Sequence, residues 1–361
     1  MGICRIAGET IHHIFPYCQV DAIPVADGGE GTVACFQEAI GAEAVAVKAA
    51  GPYGDPMETV YARKGDLAIL EMAAVAGLPL VEGRKNPART TTYGLGQMIF
   101  HAVSHGCRKL LIGLGGSCTN DGGCGCAAAL GVQFLDERGD TFIPVGETLK
   151  DICHIDIQQA RALLEGIDIT VMCDVENPLC GPTGAAAVFG PQKGADPEMV
   201  LRLDQGLEHL AEIIQRDVGC QVAQMPGSGA AGGLGAGCVA FLGAELHSGI
   251  EAVLDAVEFE RRIQGADLVI TGEGCLDGQS VHGKVISGIA ARTKPREIPL
   301  VAVVGSIAED AVEAYELGVT AIFSINRRAE PLAVSGPHSE ENYRKTLADI
   351  LRLLKAVQVN Q

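Results

Sequence analysis

The chain has 361 residues, and its 45 acidic and 27 basic side chains give a formal net charge of −18. This charge excludes nucleic acids and anionic membranes as partners, because both are bound through basic surfaces. Small anions stay compatible with it, since backbone amides and one or two local cations can hold them. An apolar share of 47% excludes a disordered chain, and no apolar run is long enough to cross a membrane.

Glycine and cysteine narrow the class of protein further. Glycine accounts for 47 residues, nearly twice its usual share of about 7%, and we expect it in tight turns and in loops that approach a ligand. The 13 cysteines include no Cys-x-x-Cys pair, which favours reduced thiols in a cytoplasmic protein. The amino terminus also lacks the apolar stretch of a secretory signal, so we expect a cytoplasmic location.

The amino-terminal half predicts a helix, a βα unit and then a meander. Apolar residues from Ile3 to Phe15 follow a helical period, and residues 20–25 predict a strand that leads into a glycine-rich turn and a second helix. Gly-Pro and Gly-Asp turns separate three short strands at 45–48, 59–62 and 67–71. Further elements follow: a helix at 94–105, strands at 109–113 and 167–174, and a helix at 199–217.

After Gly265 strands and helices alternate regularly. Strands are predicted at 267–271, 300–304 and 321–325, and helices at 285–291, 310–317 and 339–357. The two ends of the chain thus share an α/β texture that the middle lacks. We predict an α/β fold with a discontinuous domain, residues 1–42 and 263–361, and a second domain, residues 43–262, inserted into it.

Two segments match common nucleotide-binding patterns only in part. Residues 278–284 follow the P-loop pattern as far as Lys284, but Val285 replaces the hydroxyl residue that would hold magnesium, so we interpret the match as chance. Residues 227–232 fit the dinucleotide pattern without a suitable strand before them. This second match alone supports a nicotinamide-dependent oxidoreductase, whereas its continuation to Gly237 favours a surface of backbone amides that holds an anion.

Four loops combine carboxylates with glycines or turn residues, at 27–32, 115–123, 173–178 and 271–278. Each could be a simple turn, because Asp-Gly is a common turn dipeptide. Together they suit phosphoryl transfer, which needs magnesium on carboxylates, amide donors for phosphate and a carboxylate that accepts the hydroxyl proton. Lys193 and Lys284 lie in glycine-rich loops and are candidate cations, although each could also be solvated.

Seven segments, in chain order, resemble motifs of the type-2 glycerate kinase family. They are Pro24-Val-Ala-Asp27-Gly-Gly-Glu30-Gly-Thr32, Thr90-Thr-Thr-Tyr93-Gly94, Gly115-Gly-Ser117-Cys-Thr-Asn120-Asp121-Gly-Gly123, Asp174-Val-Glu-Asn177-Pro, Phe189-Gly-Pro-Gln-Lys193-Gly194, Gly229-Ala-Ala-Gly-Gly233-Leu-Gly235 and Thr271-Gly-Glu273-Gly. The resemblance implies a flavodoxin-like parallel-sheet domain with an inserted mixed α/β domain and an active site in the cleft between them. It also implies ATP-dependent phosphorylation of D-glycerate with Mg²⁺, and 2-phosphoglycerate is favoured over 3-phosphoglycerate as the product.

The family motifs, the four carboxylate loops and the two lysines together give the expected site residues. The expected catalytic residues are Asp27, Lys193 and Asp277, and the expected metal ligands are Asp121 and Asp174. Groups expected to bind substrate or phosphate are Glu30, Gly115, Gly116, Ser117, Asn120, Asn177, Gly229, Gly232, Gly233, Glu273 and Lys284. The expected small-molecule partners are D-glycerate and ATP, and homo-oligomerisation is left open.

One departure from the family keeps a second hypothesis open. The family begins with a strand and an Asp-Ser-Phe-Lys loop upstream of the point at which this chain starts, and we expect the chain to lack both. A sheet without that strand would expose the edge of its neighbour. The alternative is therefore a non-catalytic protein that binds nucleotide or glycerate, or a regulatory protein.

Overall fold

The computed structural model of the chain describes residues 2–26, 29, 31–276, 284–328 and 330–358. The chain forms two compact units, one of Met1–Ala26 with Val253–Gln361 and the other of Asp27–Ala252. We call them the terminal unit and the central unit. Their discontinuous pattern resembles the predicted one, but the helix that follows Gly31 contacts strands of the central unit. The domain bounds at 42/43 and 262/263 stay a prediction.

The strands within the described residues are short, as expected for an α/β protein. In chain order they are β1 Glu43–Ala50, β2 Pro56–Lys64, β3 Leu67–Glu71, β4 Lys109–Gly113, β5 Gln133–Leu135, β6 Thr141–Phe142, β7 His154–Asp156, β8 Asp168–Met172, β9 Glu245–His247, β10 Val269–Thr271, β11 Cys275–Leu276, β12 Leu300–Val304, β13 Ser306–Ile307 and β14 Ala321–Ser324.

The α-helices range from single turns to the long α8 and α15. In chain order they are α1 Gly2–Ile14, α2 Thr32–Ile40, α3 Ala73–Ala76, α4 Tyr93–Ser104, α5 Cys124–Ala129, α6 Gln158–Leu163, α7 Ala185–Phe189, α8 Pro197–Asp217, α9 Ala230–Leu242, α10 Gly249–Ala256, α11 Phe259–Arg262, α12 Val285–Thr293, α13 Glu313–Leu317, α14 Leu332–Ser335 and α15 Ser339–Gln358. Short 3₁₀ helices lie at Leu78–Val81, Gly146–Asp151, Pro191–Lys193, Lys294–Arg296, Glu309–Val312 and Gly336–His338. In the described parts of the chain, no helix is long and apolar enough to cross a membrane.

The central unit is built on a mixed sheet with the order β1-β2-β3-β4-β8-β9. β1, β2 and β3 are antiparallel neighbours joined by short turns, which confirms the predicted meander. β3, β4, β8 and β9 are parallel, and longer segments that contain helices connect them. A small sheet with the order β6-β5-β7 belongs to the same unit.

The hydrophobic core of the central unit lies between this mixed sheet and its helices. Leu70 on β3 and Ile112 on β4 are completely buried there. Phe134 and Phe241 meet edge to face with their ring centroids 5.5 Å apart, a geometry that aromatic pairs favour. The core therefore fixes the parallel strands whose carboxyl ends carry the predicted motifs.

The terminal unit contains a parallel sheet with the order β10-β12-β14. Every residue of β12 is buried, as a central strand of a parallel sheet requires. α1 and α15 pack together, with Ile6 and Leu347 buried in the same cluster as Val303 of β12. The α/β fold class, with a parallel sheet and a mixed sheet in different units, is confirmed.

The predicted strand at residues 20–25 is wrong. These residues are described, and they form neither a strand nor a helix. Pro24 has no N–H group to donate to a sheet, and Asp21 instead makes an ion pair with Arg262, with Nε and Oδ2 2.8 Å apart. The arginine holds the pKa of Asp21 below its ordinary value mainly through this hydrogen bonding, so the segment is tied down by charge rather than by strand pairing.

Candidate functional site

The parallel strands of the central sheet end in one row. Glu71, Gly113, Met172 and His247 are the last residues of β3, β4, β8 and β9, and they pair in register across the sheet. In α/β sheets, ligands bind beside such carboxyl ends. The segments that follow β4 and β8 contain two of the predicted motifs. The sheet therefore brings residues 115–123 and 173–178 to the same edge.

A buried lysine fixes the loop that follows β4. The ammonium group of Lys193 donates hydrogen bonds to the hydroxyl oxygen of Ser117 and to the carbonyl oxygen of Thr119, each over 2.7 Å. Lys193 comes from the 3₁₀ turn after Gly190, more than seventy residues further along the chain. All three residues are buried, and only 2% of the lysine surface is exposed. The structure thus brings Lys193 and Ser117 together, as the prediction of one site requires.

The electrostatic setting of Lys193 is unusual, since both of its hydrogen-bond partners are neutral oxygens. Burial lowers the pKa of Lys193 to about 8, and the negative charge of nearby Asp121 only partly opposes this effect. Burial also raises the pKa of the Cys118 thiol to about 12, so the thiol is neutral at pH 7. A lysine can donate three hydrogen bonds, and two are used here. The group suits an anionic ligand that would supply the missing negative charge.

Asp121 lies in the same loop but serves as a hydrogen-bond acceptor for the protein itself. Its carboxylate accepts from the amide and the hydroxyl of Thr92, each over 2.8 Å, and from the amides of Gly123 and Gly125, each over 3.2 Å. Burial raises its pKa, and the four hydrogen bonds oppose that rise. Because these donors occupy both carboxylate oxygens, the geometry favours a positioning role, and magnesium binding by Asp121 stays a prediction.

Asn120, between Thr119 and Asp121, has unsatisfied hydrogen-bonding groups. Its side chain is completely buried, and neither its oxygen nor its nitrogen has a hydrogen-bond partner among the described residues. The same holds for the hydroxyl of Ser228. Buried polar groups without partners are costly and therefore rare. Asn120 consequently fits its predicted role as a polar contact for a ligand.

The glycine-rich segment around α9 packs directly against the loop after β4. A Cβ atom on Gly232 would lie 2.0 Å from the carbonyl oxygen of Thr119 and 2.6 Å from the Cα of Asn120. The backbone at Ala231, Gly232 and Gly233 is left-handed, with φ values of 53°, 69° and 90°. At Gly232 only glycine allows the combination of close contact and positive φ. The two predicted glycine-rich segments are therefore in contact.

Some of the predicted amide donors are already used within the protein. The amide of Gly229 donates to the carbonyl of Asn177 over 3.0 Å, and that of Gly233 donates to the carbonyl of Gly229 over 3.4 Å. The Asn177 side chain donates to the carbonyl of Thr183 over 2.8 Å. These groups stabilise the contact between the segment after β8 and α9, and their predicted role in phosphate binding stays a prediction.

Asp174 lies at the carboxyl end of β8 and is exposed. Its Oδ1 atom accepts hydrogen bonds from the amide of Gly249 over 2.7 Å and from the hydroxyl of Ser248 over 3.3 Å. In the described parts of the chain, no cluster of three or more metal-ligating side chains exists. Mg²⁺ in phosphoryl transfer often takes only one or two carboxylates together with substrate phosphates, so an exposed carboxylate at this edge still suits it.

Two predicted residues belong to the terminal unit. The carbonyl of Glu273 accepts from the amide of Gly305 over 3.1 Å, and Lys284 immediately precedes α12, where its carbonyl accepts from the Ser287 hydroxyl over 2.9 Å. Their roles stay predictions. Asp27, Glu30 and Asp277, and residues 278–283 of the P-loop match, lie outside the described residues.

One acidic residue at the carboxyl edge of the central sheet, Glu71, belongs to none of the predicted motifs. Glu71 ends β3, and its carboxylate accepts a hydrogen bond from the amide of Val33 at the start of α2 over 2.5 Å. An apolar strand that ends in a carboxylate, Leu67-Ala-Ile-Leu-Glu71, was a signal available in the sequence. Thr92, which holds Asp121, lies in a quoted motif but had no predicted role.

Known proteins resemble the chain over nearly its whole length. A family model described as the glycerate kinase family matches residues 1–355. A protein of Bacillus cereus named glycerate kinase is 42% identical over 356 residues, covering 98% of this chain and 93% of its relative. A protein of Escherichia coli K12 named glycerate 2-kinase is 44% identical over 327 residues, covering 90% of this chain and 86% of its relative.

A solved structure agrees in both fold and sequence. The structure comes from Salmonella typhimurium LT2 and is provisionally described as glycerate kinase 2. It has a TM-score of 0.88 and 40% identity, and the match covers 99% of this chain and 94% of that chain. Family model, relatives and structure agree with the motifs at the sheet edge: the chain belongs to the glycerate kinase family and is a kinase.

Proposed function

We propose that the chain transfers the γ-phosphoryl group of ATP to D-glycerate and forms 2-phosphoglycerate. The observation that carries the proposal is the buried ammonium of Lys193, which has only neutral hydrogen-bond partners beside the carboxyl ends of the parallel strands of the central sheet. The family supports glycerate as the substrate, and the E. coli relative named glycerate 2-kinase supports transfer to the 2-hydroxyl.

Lys193 would act on the charge of the transferred group. The transition state of phosphoryl transfer spreads negative charge over the equatorial phosphate oxygens. An ammonium group in a site shielded from water stabilises that charge more strongly than a solvated one can. Ser117 and Thr119 hold Lys193 in place before the ligand arrives, so little rearrangement is needed. Asn120 would donate its amide hydrogens to a substrate oxygen.

Magnesium and the proton acceptor complete the proposal. We assign Asp174 to magnesium, because its carboxylate is exposed at the end of β8. Bound magnesium would neutralise phosphate charge, which is its usual contribution to this reaction. Asp121 would position the loop that carries Asn120 and Ser117. Asp27 or Asp277 would accept the proton of the glycerate hydroxyl.

The remaining predicted groups would complete ligand binding. Gly115 and Gly116 would offer backbone amides to phosphate, and Glu273 and Lys284 would contribute polar and positively charged groups. We further propose that the reaction takes place in the cytoplasm, where the many free thiols would stay reduced.

The experiment is a kinase assay on the full chain. Purified protein is incubated with ATP, MgCl₂ and D-glycerate, and ADP release is measured beside reactions without glycerate or without magnesium. Release that depends on both supports the proposal, and its absence contradicts it. Calorimetry with ATP and D-glycerate then tests the non-catalytic alternative, because binding without turnover would favour it. Binding of NADH, followed by its fluorescence, would favour the oxidoreductase.

A further inference from the structure

Glu71 connects two parts of the central unit that are far apart in sequence. It is the last residue of β3 and pairs with Gly113 of β4, so it lies in the row of strand ends beside the candidate site. Its Oε1 atom accepts a hydrogen bond from the amide of Val33, which lies 38 residues earlier. The carboxylate therefore ties the start of α2 to the edge of the sheet.

The start of α2 needs such a partner. The first amides of a helix have no acceptor within the helix, and a negative charge there is also favoured by the helix dipole. The residue before α2 is Gly31, which has no side chain to supply the acceptor. Glu71, at the end of β3, supplies this hydrogen-bond acceptor instead. A hydrogen bond to an ionised acceptor is roughly twice as strong as one between neutral groups.

The residues just before α2 are hydrogen-bonded to the first turn of this helix. The hydroxyl of Thr32 donates to the carbonyl of Gly29 over 2.8 Å, and the amide of Cys35 donates to the carbonyl of Gly31 over 2.9 Å. A displacement of Val33 would therefore move Thr32 and Gly29 with it. Gly29 belongs to the motif of residues 27–32, in which the proposed function places Asp27 as a proton acceptor.

We propose that Glu71 is a positioning residue that holds the start of α2, and with it Thr32 and Gly29, at the sheet edge. This inference rests on the proposed function. Glu71 acts through the amide of Val33. A misplacement of reacting groups by about 1 Å can lower a rate about 100-fold, so the loss of this one hydrogen bond can reduce turnover strongly.

The test compares Glu71→Ala with Glu71→Gln and a control, Asp156→Ala. Gln keeps an oxygen that can accept from Val33, whereas Ala does not. Asp156 is an exposed carboxylate whose Oδ1 accepts from the amide of Gln158, the first residue of α6, over 2.9 Å. The control thus removes a similar carboxylate from the start of another helix. We expect Glu71→Ala to lower kcat about 100-fold with little change in KM, Glu71→Gln to restore most of it, and Asp156→Ala to leave kcat unchanged.

Amide hydrogen exchange around Val33 provides a second readout that does not depend on turnover. We expect slow exchange in the wild type and in Glu71→Gln, and fast exchange in Glu71→Ala. If Glu71→Ala does not fold, Glu71→Asp, whose shorter side chain withdraws the acceptor, replaces it in both measurements. Equal kcat values for the Ala and control variants, or unchanged exchange, would overturn the inference. A wild type without kinase activity but with slow exchange would instead contradict the proposed function alone.

Discussion

The ammonium nitrogen of Lys193 lies 2.7 Å from the hydroxyl oxygen of Ser117, and both residues are buried. This contact joins a 3₁₀ turn to the loop after β4 and leaves a cation in a place where lysine rarely occurs. A buried cation with neutral partners lowers stability, and a bound anion would offset this cost. Its presence beside the carboxyl ends of the parallel strands of the central sheet is the clearest structural sign of an anion site in the central unit.

Replacing the lysine tests its role in turnover. We expect Lys193→Met, which keeps the length of the side chain but removes the charge, to lower kcat/KM by about 100-fold to 1,000-fold, as the loss of a transition-state donor does in other enzymes. Lys85→Met is the matched control, because the exposed Lys85 donates to the carbonyl of Gln192 over 3.3 Å, next to Lys193 in sequence. Steady-state kinetics with ATP and D-glycerate measure both variants. A similar kcat/KM for the two would remove Lys193 from the mechanism.

The pKa of Lys193 also predicts how stability depends on pH. Burial lowers the pKa of Lys193 from its ordinary value of 10.5 to about 8, so between these values the unfolded chain binds the proton more strongly than the folded one. The free energy of unfolding should therefore rise with pH across this window, whereas the penalty of burying the charge is fully present below pH 8. Relative to Lys193→Met, the wild type should gain about 2 kcal/mol between pH 7 and pH 9.5. Urea unfolding of both proteins at the two pH values measures this gain, and a constant difference would contradict it.

Asp121 should matter for folding more than for ligand binding. Asp121→Asn places an amide where four donors converge, and we expect a loss of about 3 kcal/mol or more, as in other broken buried networks. Thr92→Val, which removes the hydroxyl alone, should cost about 1 to 2 kcal/mol. Because the two residues share a hydrogen bond, the double variant should lose less than the sum of the single losses. Additive losses in urea unfolding would show that the contact is not energetically coupled.

The contact between the two glycine-rich segments can be tested with two glycines of similar backbone geometry. Gly232 has a φ of 69° and Gly243 a φ of 67°, but a Cβ on Gly232 would meet the Thr119 carbonyl at 2.0 Å, whereas a Cβ on Gly243 meets nothing within 4 Å. Gly243→Ala should cost about 1 kcal/mol from backbone strain, and Gly232→Ala more than about 3 kcal/mol because the segments must separate. Chemical denaturation checks this, and equal losses would argue against the close packing.

Local sequence signals predicted the elements that depend on local physics. The helical period of residues 3–15 and the apolar run at 300–304 correspond to α1 and β12, and the turns between residues 45 and 71 correspond to the antiparallel strands. The strand prediction at 20–25 failed because apolar character alone favoured a strand. The ion-pair partner of Asp21 in this segment is Arg262, which lies more than two hundred residues away.

The arrangement of the candidate site depends on partners distant in sequence more than the helices and strands do. Asn120-Asp121-Gly122-Gly123 has the composition of a surface turn, yet Thr92 and Gly232 bury it. Lys193 could equally have been solvated, and its burial is decided by Ser117 and Thr119. The resemblance to a family identified most of these residues, but only the structure shows that Asp121 serves the loop and that Glu71 holds α2.

The most direct test of the central claim is to identify the product by ³¹P NMR after the wild-type protein has consumed MgATP in the presence of D-glycerate. We predict one new phosphomonoester signal, which coincides with added 2-phosphoglycerate, and a loss of that signal when Lys193→Met replaces the wild type. Hydrolysis of ATP without a phosphoglycerate signal, or no consumption of ATP, would contradict the account.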